Sequence, residues 1–235
     1  MIVNEKEKYF VTFSSGSYLD IWQDVDNKGY TLVKSSKMHK KLQEALSLSI
    51  LDSDYLLLLS GGYDSLINVH TVLRANSALL KDGKELLSHK FTLKGHINSI
   101  KDISVISAYT NDSYKENNKI NKNLMMIATC SQDCYIRLWN VVEIKIDKQD
   151  LEKENAIDRS EIFEEYKTKT SYVLKVDNGK FYNILLDSIL LGHEESVSSV
   201  KWAIDKDGYL VLLSSSFDFT IGIWRYSNNM VTILY

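Results

Sequence analysis

The stretch TCSQDCYIRLWN, residues 129–140, holds a hydroxyl, an aspartate, a β-prone run and a tryptophan at short intervals. Three other segments align with it without gaps: TFSSGSYLDIW (12–22), SGGYDSLINVH (60–70) and SSSFDFTIGIW (214–224). Gly16 replaces the aspartate in the first copy, and His70 replaces the tryptophan in the second. A pattern that recurs along the chain indicates a repeated structural unit.

Each copy follows an apolar run, so the plain interpretation is a strand, a tight turn and a second strand. A second element precedes the third and fourth copies, as GHINSIKDISV (95–105) and GHEESVSSVKW (192–202), and MHKKLQEALSL (38–48) takes the same place before the second. One more β-prone run follows each hairpin. Four antiparallel strands per unit are typical of a β-propeller blade.

Gly-His followed by Ser-x-x-x-Asp and tryptophan resembles the WD-repeat signature. The resemblance implies an all-β fold, a partial, open WD-repeat β-propeller of about four four-stranded antiparallel blades, the first incomplete. We predict a single domain over residues 1–235 with inserted loops at 71–88, 106–123 and 143–180.

Composition argues against nucleic-acid binding, a membrane span and secretion. The chain has 235 residues, 44% of them apolar, and a net charge of -3, which gives no basic footprint for nucleic acid. No stretch approaches the roughly 18 apolar residues of a membrane span, and residues 1–10 lack a secretory h-region. The expected compartment is the cytoplasm or also the nucleus.

Two sets of polar residues lie where WD-repeat proteins form a hydrogen-bonded tetrad. In each, a histidine is expected to bridge an aspartate and a strand hydroxyl, and the hydroxyl to accept the indole N–H, so that buried polar groups gain partners. The two predicted structural tetrads are His96, Thr129, Asp133 and Trp139, and His193, Ser214, Asp218 and Trp224.

Some of these residue types also occur in catalytic, metal or phosphate sites. Ser214, His193 and Asp218 are the residue types of a hydrolytic triad, but the set recurs at Thr129, which a catalytic site does not require. Cys130 and Cys134 lack the further ligands of a zinc site, and SGGYDS lacks the Gly-Lys-Ser/Thr of a phosphate loop. We predict no catalytic, cofactor or metal site, and packing or surface positions for His39, His70 and His89.

The blade topology separates two faces. The turns that carry the tetrads gather on one of them, here called the clasp face, and the long insertions gather on the other. The residues just ahead of the aspartate positions, Tyr63, Gln132 and Phe217, are candidate partner-binding residues on the clasp face. Packing against neighbouring turns is the alternative for these side chains.

A closer resemblance rests on SQDCYIRLWN, the long charged insertion after it, LLGHEESVSSVKW and LLSSSFDFTIGIW. Together they are similar to the Elongator complex subunit 2 family, in its first propeller. This resemblance implies a non-catalytic scaffold supporting tRNA wobble-uridine modification. The implied partners are the large scaffold subunit and the radical-SAM/acetyltransferase subunit, with no specific nucleic acid and no membrane. The alternative is a WD-repeat adaptor for a ubiquitin ligase or for trafficking.

At ~40 to 45 residues per blade, a seven-bladed ring needs about 300 residues, more than this sequence supplies. We therefore expect an open arc with exposed sheet surfaces and strand edges, which self-associates edge to edge unless the chain is part of a longer protein.

Overall fold

The computed structural model describes residues 2–4, 9–14, 17–24, 29–74, 77–80, 83–107, 123–144, 171–227 and 230–234. These residues form four antiparallel sheets, and no α-helix occurs among them. The predicted all-β, open propeller arc is confirmed. Within the described ranges no helix is long and apolar enough to cross a bilayer.

The first two sheets, blades 1 and 2, are simple meanders with neighbouring strands paired in chain order. Blade 1 contains β1 Ile2–Asn4, β2 Tyr9–Phe13, β3 Tyr18–Asp24 and β4 Tyr30–Lys37. Blade 2 contains β5 Gln43–Ile50, β6 Tyr55–Gly62, β7 Ile67–Leu73 and β8 Leu87–Leu93. Blade 1 thus has four strands where the sequence predicted an incomplete unit. Its innermost strand was missed because three residues are too short to show a period of two.

The last two sheets, blades 3 and 4, differ by one strand. Blade 3 contains β9 Ile100–Ser107, β10 Asn123–Ser131, β11 Ile136–Ile144, β12 Ser171–Lys175 and β13 Phe181–Leu190. Blade 4 contains β14 Val197–Ile204, β15 Leu210–Ser216, β16 Ile221–Ser227 and β17 Met230–Leu234. Strand order in blade 3 is β12-β13-β11-β10-β9, so β12 is an extra strand on the outer edge.

The predicted insertions are shorter in the structure than in the sequence interpretation. β7 continues to Leu73 and β8 begins at Leu87, while β9 runs to Ser107, so strands enter the first two stretches. The third stretch, 143–180, holds the last two residues of β11, the whole of β12 and the turn from β12 into β13. Residues 108–122 and 145–170 lie outside the described residues.

Strand β12, at the outer edge of blade 3, also contacts blade 2. The Tyr172 ring stacks on Phe91 of β8, with centroids 5.3 Å apart and an interplanar angle of 14°. The Tyr172 hydroxyl also accepts a hydrogen bond from the Lys94 backbone N–H at 3.2 Å. The extra strand therefore supports the contact between two blades.

The core is divided into three layers, one between each pair of consecutive blades. Strand alternation supplies two apolar faces per inner blade, one for each neighbour. Blade 1 packs on blade 2 through Val11, Leu19 and Ile21. Leu59 and Val69 of blade 2 meet Trp139 of blade 3, and Leu138 of blade 3 meets Trp224 of blade 4. Among the described residues, no hydrophobic cluster joins blade 1 to blade 4.

Candidate functional site

The clasp of blade 3 joins three elements at the clasp face. His96, in the turn before β9, lies with Nδ1 2.8 Å from Asp133 Oδ2 and Nε2 3.0 Å from Thr129 Oγ1. The Trp139 indole N–H donates to the same Thr129 oxygen at 3.3 Å. Asp133 also accepts the Ile97 backbone N–H at 3.1 Å. The structure thus brings the four predicted residues together in one network.

The clasp of blade 4 repeats this arrangement. His193 Nδ1 lies 2.9 Å from Asp218 Oδ2, its Nε2 lies 2.7 Å from Ser214 Oγ, and the Trp224 indole donates to Ser214 at 2.9 Å. A Cβ atom at Gly222 would lie 2.6 Å from Ser214 Oγ. Glycine at this position therefore leaves room for the hydroxyl, which explains one departure of the last hairpin from the signature.

Blade 2 has a clasp that the sequence interpretation missed. His39 Nδ1 lies 3.0 Å from Asp64 Oδ1, and its Nε2 lies 3.0 Å from Ser60 Oγ. His39 is buried, as a packing position implies, but it also has the polar partners of a clasp, which the sequence interpretation did not assign to it. The signal was its spacing, because 25 residues separate His39 from Asp64 and also His193 from Asp218.

The tryptophan position of blade 2 holds His70, which is buried with Nδ1 unpaired. Its ring lies edge-on to His89 of the next strand, with centroids 4.9 Å apart. Burial first, and then the neighbouring His89, lower the pKa of His70 to about 3. Burial also lowers the pKa of His89. This pair is neutral at physiological pH and packs between strands.

In blade 1, the described residues show the contact between the tryptophan and the hydroxyl. The Trp22 indole donates to Thr12 Oγ1 at 3.0 Å, as in blades 3 and 4. Gly16, at the aspartate position, lies outside the described residues.

The carboxylates of the blade 3 and blade 4 clasps, Asp133 and Asp218, are held in their charged form. Burial alone would raise the pKa of Asp133, but hydrogen bonds from His96 and from the backbone N–H groups of Ile97 and Tyr135 lower it overall. Burial alone would also raise the pKa of Asp218. Its pKa is nevertheless lowered, because the carboxylate accepts hydrogen bonds from the Thr220 hydroxyl and from N–H groups of Thr220, Glu194 and His193. A charged carboxylate with several donors is a strong acceptor at a turn.

The hydroxyls at the centre of the clasps are enclosed. Thr129 is fully buried and Ser214 is 3% exposed, and each oxygen contacts both a histidine and an indole. A nucleophilic serine must be able to contact a substrate, whereas these two oxygens are buried inside the protein. The arrangement serves to connect two turns and two strands within each blade.

The two cysteines do not meet further metal-binding side chains. Cys130 is buried, which raises the pKa of its thiol, and Cys134 Sγ lies 3.7 Å from the Glu194 carbonyl oxygen of blade 4. In the described part of the chain, no group of three or more His, Cys, Asp or Glu side chains could hold a metal ion.

The candidate partner-binding residues lie in equivalent turns of the clasp face, in different surroundings. Tyr63 donates to Glu44 at 3.2 Å, and Lys101 Nζ lies 5.0 Å from the centre of its ring. The Gln132 side chain accepts the Ser99 hydroxyl at 3.4 Å. Phe217 is 64% exposed, so it offers the freest apolar surface of the three.

Phe219 is a further exposed aromatic that sequence reasoning did not select as a binding residue. It is 99% exposed, and its φ of 65° is left-handed, as at the equivalent Ser65 and Cys134. A bulky residue is disfavoured in this conformation, and its side chain has no packing to compensate.

Comparison with known proteins finds WD repeats in two parts of the chain. Two stretches, residues 87–140 and 186–225, match the family described as WD domain, G-beta repeat. The chain carries WD repeats. The matched stretches of WD repeat include the hairpins of the blade 3 and blade 4 clasps. The structure of U3-55K aligns with a TM-score of 0.54 at 13% identity, covering 100% of this chain and 50% of that one, a likeness that shows the fold alone.

The similar curated proteins share one name, which confirms the resemblance drawn from sequence. Elongator complex protein 2 of Arabidopsis thaliana is 28% identical over 250 aligned positions, covering 95% of this WD-repeat chain and 26% of the relative. The Drosophila melanogaster protein is 32% identical over 103 residues, 43% of this chain and 12% of the relative. The Saccharomyces cerevisiae protein is 25% identical over 214 residues, which cover 88% of this chain and 23% of the relative. The chain therefore spans about a quarter or less of these relatives.

Proposed function

We propose that this chain is a non-catalytic WD-repeat scaffold of the Elongator complex, which supports the modification of wobble uridines in tRNA. The observation that carries the proposal is the alignment of 95% of the chain with Elongator complex protein 2 of Arabidopsis thaliana. The repeated clasps and the matched WD repeats support a scaffold role, because WD propellers present turns for protein contacts.

The polar chemistry of the chain supports the non-catalytic part of the proposal. Each histidine, hydroxyl and aspartate of a clasp is already bonded to another member of the clasp. Their physical effect is to hold the turn between the second and third strands of a blade against the turn that enters the same blade. Residues ahead of the aspartates are thereby fixed in position on the clasp face, which reduces the entropy lost on binding.

The proposed partners are the large scaffold subunit and the radical-SAM/acetyltransferase subunit of Elongator. Of the three candidate residues, Phe217 is the most exposed aromatic anchor for such a contact, and Tyr63 and Gln132 extend the same face. A net charge of -3 supports contacts with protein rather than specific contacts with nucleic acid. The proposed location is the cytoplasm and also the nucleus.

Affinity capture tests the assignment. The chain is tagged at its endogenous gene, and co-purifying proteins are measured by quantitative mass spectrometry against an untagged strain. We expect both named subunits to be enriched together. Recovery of a ubiquitin-ligase or trafficking assembly in their place would overturn the proposal.

A further inference from the structure

An apolar patch lies at the end of blade 3 that belongs to the clasp face. This blade 3 patch consists of Ile97, Tyr135, Ile189 and Leu191 around Arg137. The four apolar side chains are 82%, 37%, 43% and 66% exposed. Blades 2 and 4 pack on the two sides of blade 3, so the patch is exposed although both neighbouring blades are present.

The clasp itself holds two members of the patch together. The Asp133 carboxylate accepts the Ile97 backbone N–H through one oxygen and the Tyr135 backbone N–H through the other, each at 3.1 Å. Ile97 lies in the turn that enters blade 3, and Tyr135 directly precedes β11. One buried carboxylate therefore fixes these two residues side by side.

The pairing of β11 with β13 supplies the rest of the patch. Arg137 lies directly opposite Ile189. Continued beyond the last pair of the two strands, the same register places Tyr135 opposite Leu191. Alternate residues of a strand share one side of the sheet, so Tyr135 and Arg137 lie on the side where Trp139 packs against blade 2.

The corresponding cross-strand pair is polar in blades 1 and 2. In blade 1 the Ser35 hydroxyl donates to Asp20 at 2.5 Å. In blade 2 the Thr92 hydroxyl donates to Asn68 at 2.7 Å. Lysine follows two residues later in both blades, where blade 3 has Leu191. An isoleucine has no polar atom for such a hydrogen bond, so the patch is specific to blade 3 and is not a consequence of the fold.

The guanidinium of Arg137 brings a positive charge to the patch. One of its Nη groups donates to the Gly95 carbonyl oxygen at 2.9 Å, in the turn between blades 2 and 3. Among the described residues, no carboxylate forms an ion pair with it. Lys94, exposed in the same turn, adds a second positive charge. An arginine beside apolar side chains is a common anchor of protein interfaces, and its natural partner is a carboxylate.

We propose that the blade 3 patch binds an acidic segment of a protein partner. A carboxylate of that segment pairs with Arg137, and a neighbouring apolar side chain packs on Ile189 and Leu191. A polypeptide supplies both kinds of group, whereas the backbone of a nucleic acid supplies phosphates without an aliphatic side chain. The proposal rests on the scaffold part of the proposed function, which requires a protein partner, and not on the identity of that partner.

Photo-crosslinking in cells tests the proposal, with the chain expressed from its own gene. The photoreactive residue p-benzoylphenylalanine replaces Tyr135 in the patch. In the control it replaces Tyr209, which is also 37% exposed but lies in the turn between β14 and β15 on the opposite face. Mass spectrometry identifies the cross-linked peptides. We expect position 135, and not position 209, to cross-link to a protein segment in which Asp or Glu lies next to an apolar residue.

Two variants then test the chemistry of the contact, with the cross-linked segment as a synthetic peptide. The patch variant combines Arg137→Asn, Ile189→Thr and Leu191→Lys, which are the residues of blade 2 at these positions and restore its internal hydrogen bond. The charge variant is Arg137→Glu, and its matched control is Lys206→Glu at an exposed position of the opposite face. Thermal melting establishes that each variant folds.

We expect the patch and charge variants to bind the peptide ~10-fold or more weakly than the wild type, and the Lys206 control to bind equally well. Exchange of the acidic residue of the peptide for lysine should restore binding to the charge variant. This reciprocal rescue distinguishes a direct ion pair from a change in the fold of blade 3.

The outcomes separate this proposal from the Elongator assignment. An acidic segment of an Elongator subunit supports both, and an acidic segment from a different assembly supports the patch while it overturns the assignment. The patch proposal is overturned by no cross-link at position 135, or by a cross-link to RNA, to the same polypeptide or to a segment without an acidic residue. Folded patch and charge variants that bind the peptide as tightly as the wild type also overturn it.

Discussion

His39 Nδ1 lies 3.0 Å from the Asp64 carboxylate, within 0.2 Å of the 2.8 Å that separates His96 from Asp133. Blade 2 forms this contact although a histidine occupies its tryptophan position. The histidine, hydroxyl and aspartate of a clasp thus assemble without the indole. The polar contact between the two turns is the part of the signature that blades 2, 3 and 4 all retain.

The clasp of blade 3 should contribute strongly to stability. The Asp133 side chain is fully buried and accepts three hydrogen bonds, so Asp133→Ala leaves His96 Nδ1 and two backbone donors without this acceptor. We expect the free energy of unfolding to fall by ~1 to 3 kcal/mol, measured by urea denaturation. Asp207→Ala, at an exposed turn, is the control and should change it by less than about 0.5 kcal/mol. Equal effects would contradict the role of the clasp.

His70 should make stability depend on pH. Its pKa is about 3 in the folded chain and 6.5 as a free side chain, so the unfolded state binds a proton first as pH falls. Stability is then lost between pH 6.5 and about 3, at up to about 1.4 kcal/mol per pH unit. Urea denaturation at about pH 7 and about pH 5 measures this slope.

The matched variant His70→Phe keeps a ring in the buried position but has no proton to gain. Its loss of stability between the two pH values should be smaller than that of the wild type. An unchanged slope would show that His70 does not titrate as its burial implies.

Strand β12 should stabilise the contact between blades 2 and 3. Tyr172→Ala removes the stack on Phe91 and the acceptor for the Lys94 N–H, with an expected loss of about 2 kcal/mol. Tyr172→Phe removes only the acceptor, which is exposed, and should cost less than about 1 kcal/mol. Thermal or urea unfolding distinguishes the two, and equal losses would assign the effect to the hydroxyl.

Phe217 should contribute to partner binding with little effect on folding. The ring is 64% exposed, so Phe217→Ala removes contact area without opening the core. We expect a loss of more than about 1 kcal/mol in affinity for the Elongator subunits that the chain captures, measured by titration calorimetry. Val33→Ala, at a 39% exposed position in β4, should bind as the wild type does. If both variants bind as tightly as the wild type, the partner contacts another surface of the chain.

The hairpins could be predicted because their side-chain types recur at fixed spacing and alternate with the period of a strand. The clasp residues could be predicted for the same reason. A histidine, a hydroxyl and an aspartate that recur at constant separation indicate that each blade forms the same hydrogen-bonded network. The clasp role of His39 was missed because no glycine precedes it, although its distance along the chain to Asp64 matched.

Other features depend on tertiary context that a pattern does not contain. Strand β12 follows a long charged stretch, and its edge position comes from packing on β13 and β8. Alternation shows that Leu213 and Ile223 share one side of their sheet, but whether that side is covered depends on the presence of a neighbouring blade. Phe219 looks like an ordinary turn residue until its φ and exposure are known.

The proposed role of this chain is to support wobble-uridine modification as a scaffold without chemistry of its own. Its most direct test is mass spectrometry of nucleosides from tRNA of cells that lack the gene. We predict loss of the modified wobble uridines, restored by the wild-type chain and reduced by Phe217→Ala in proportion to its loss of partner binding. Undiminished wobble-uridine modification in the cells that lack the gene would contradict the account.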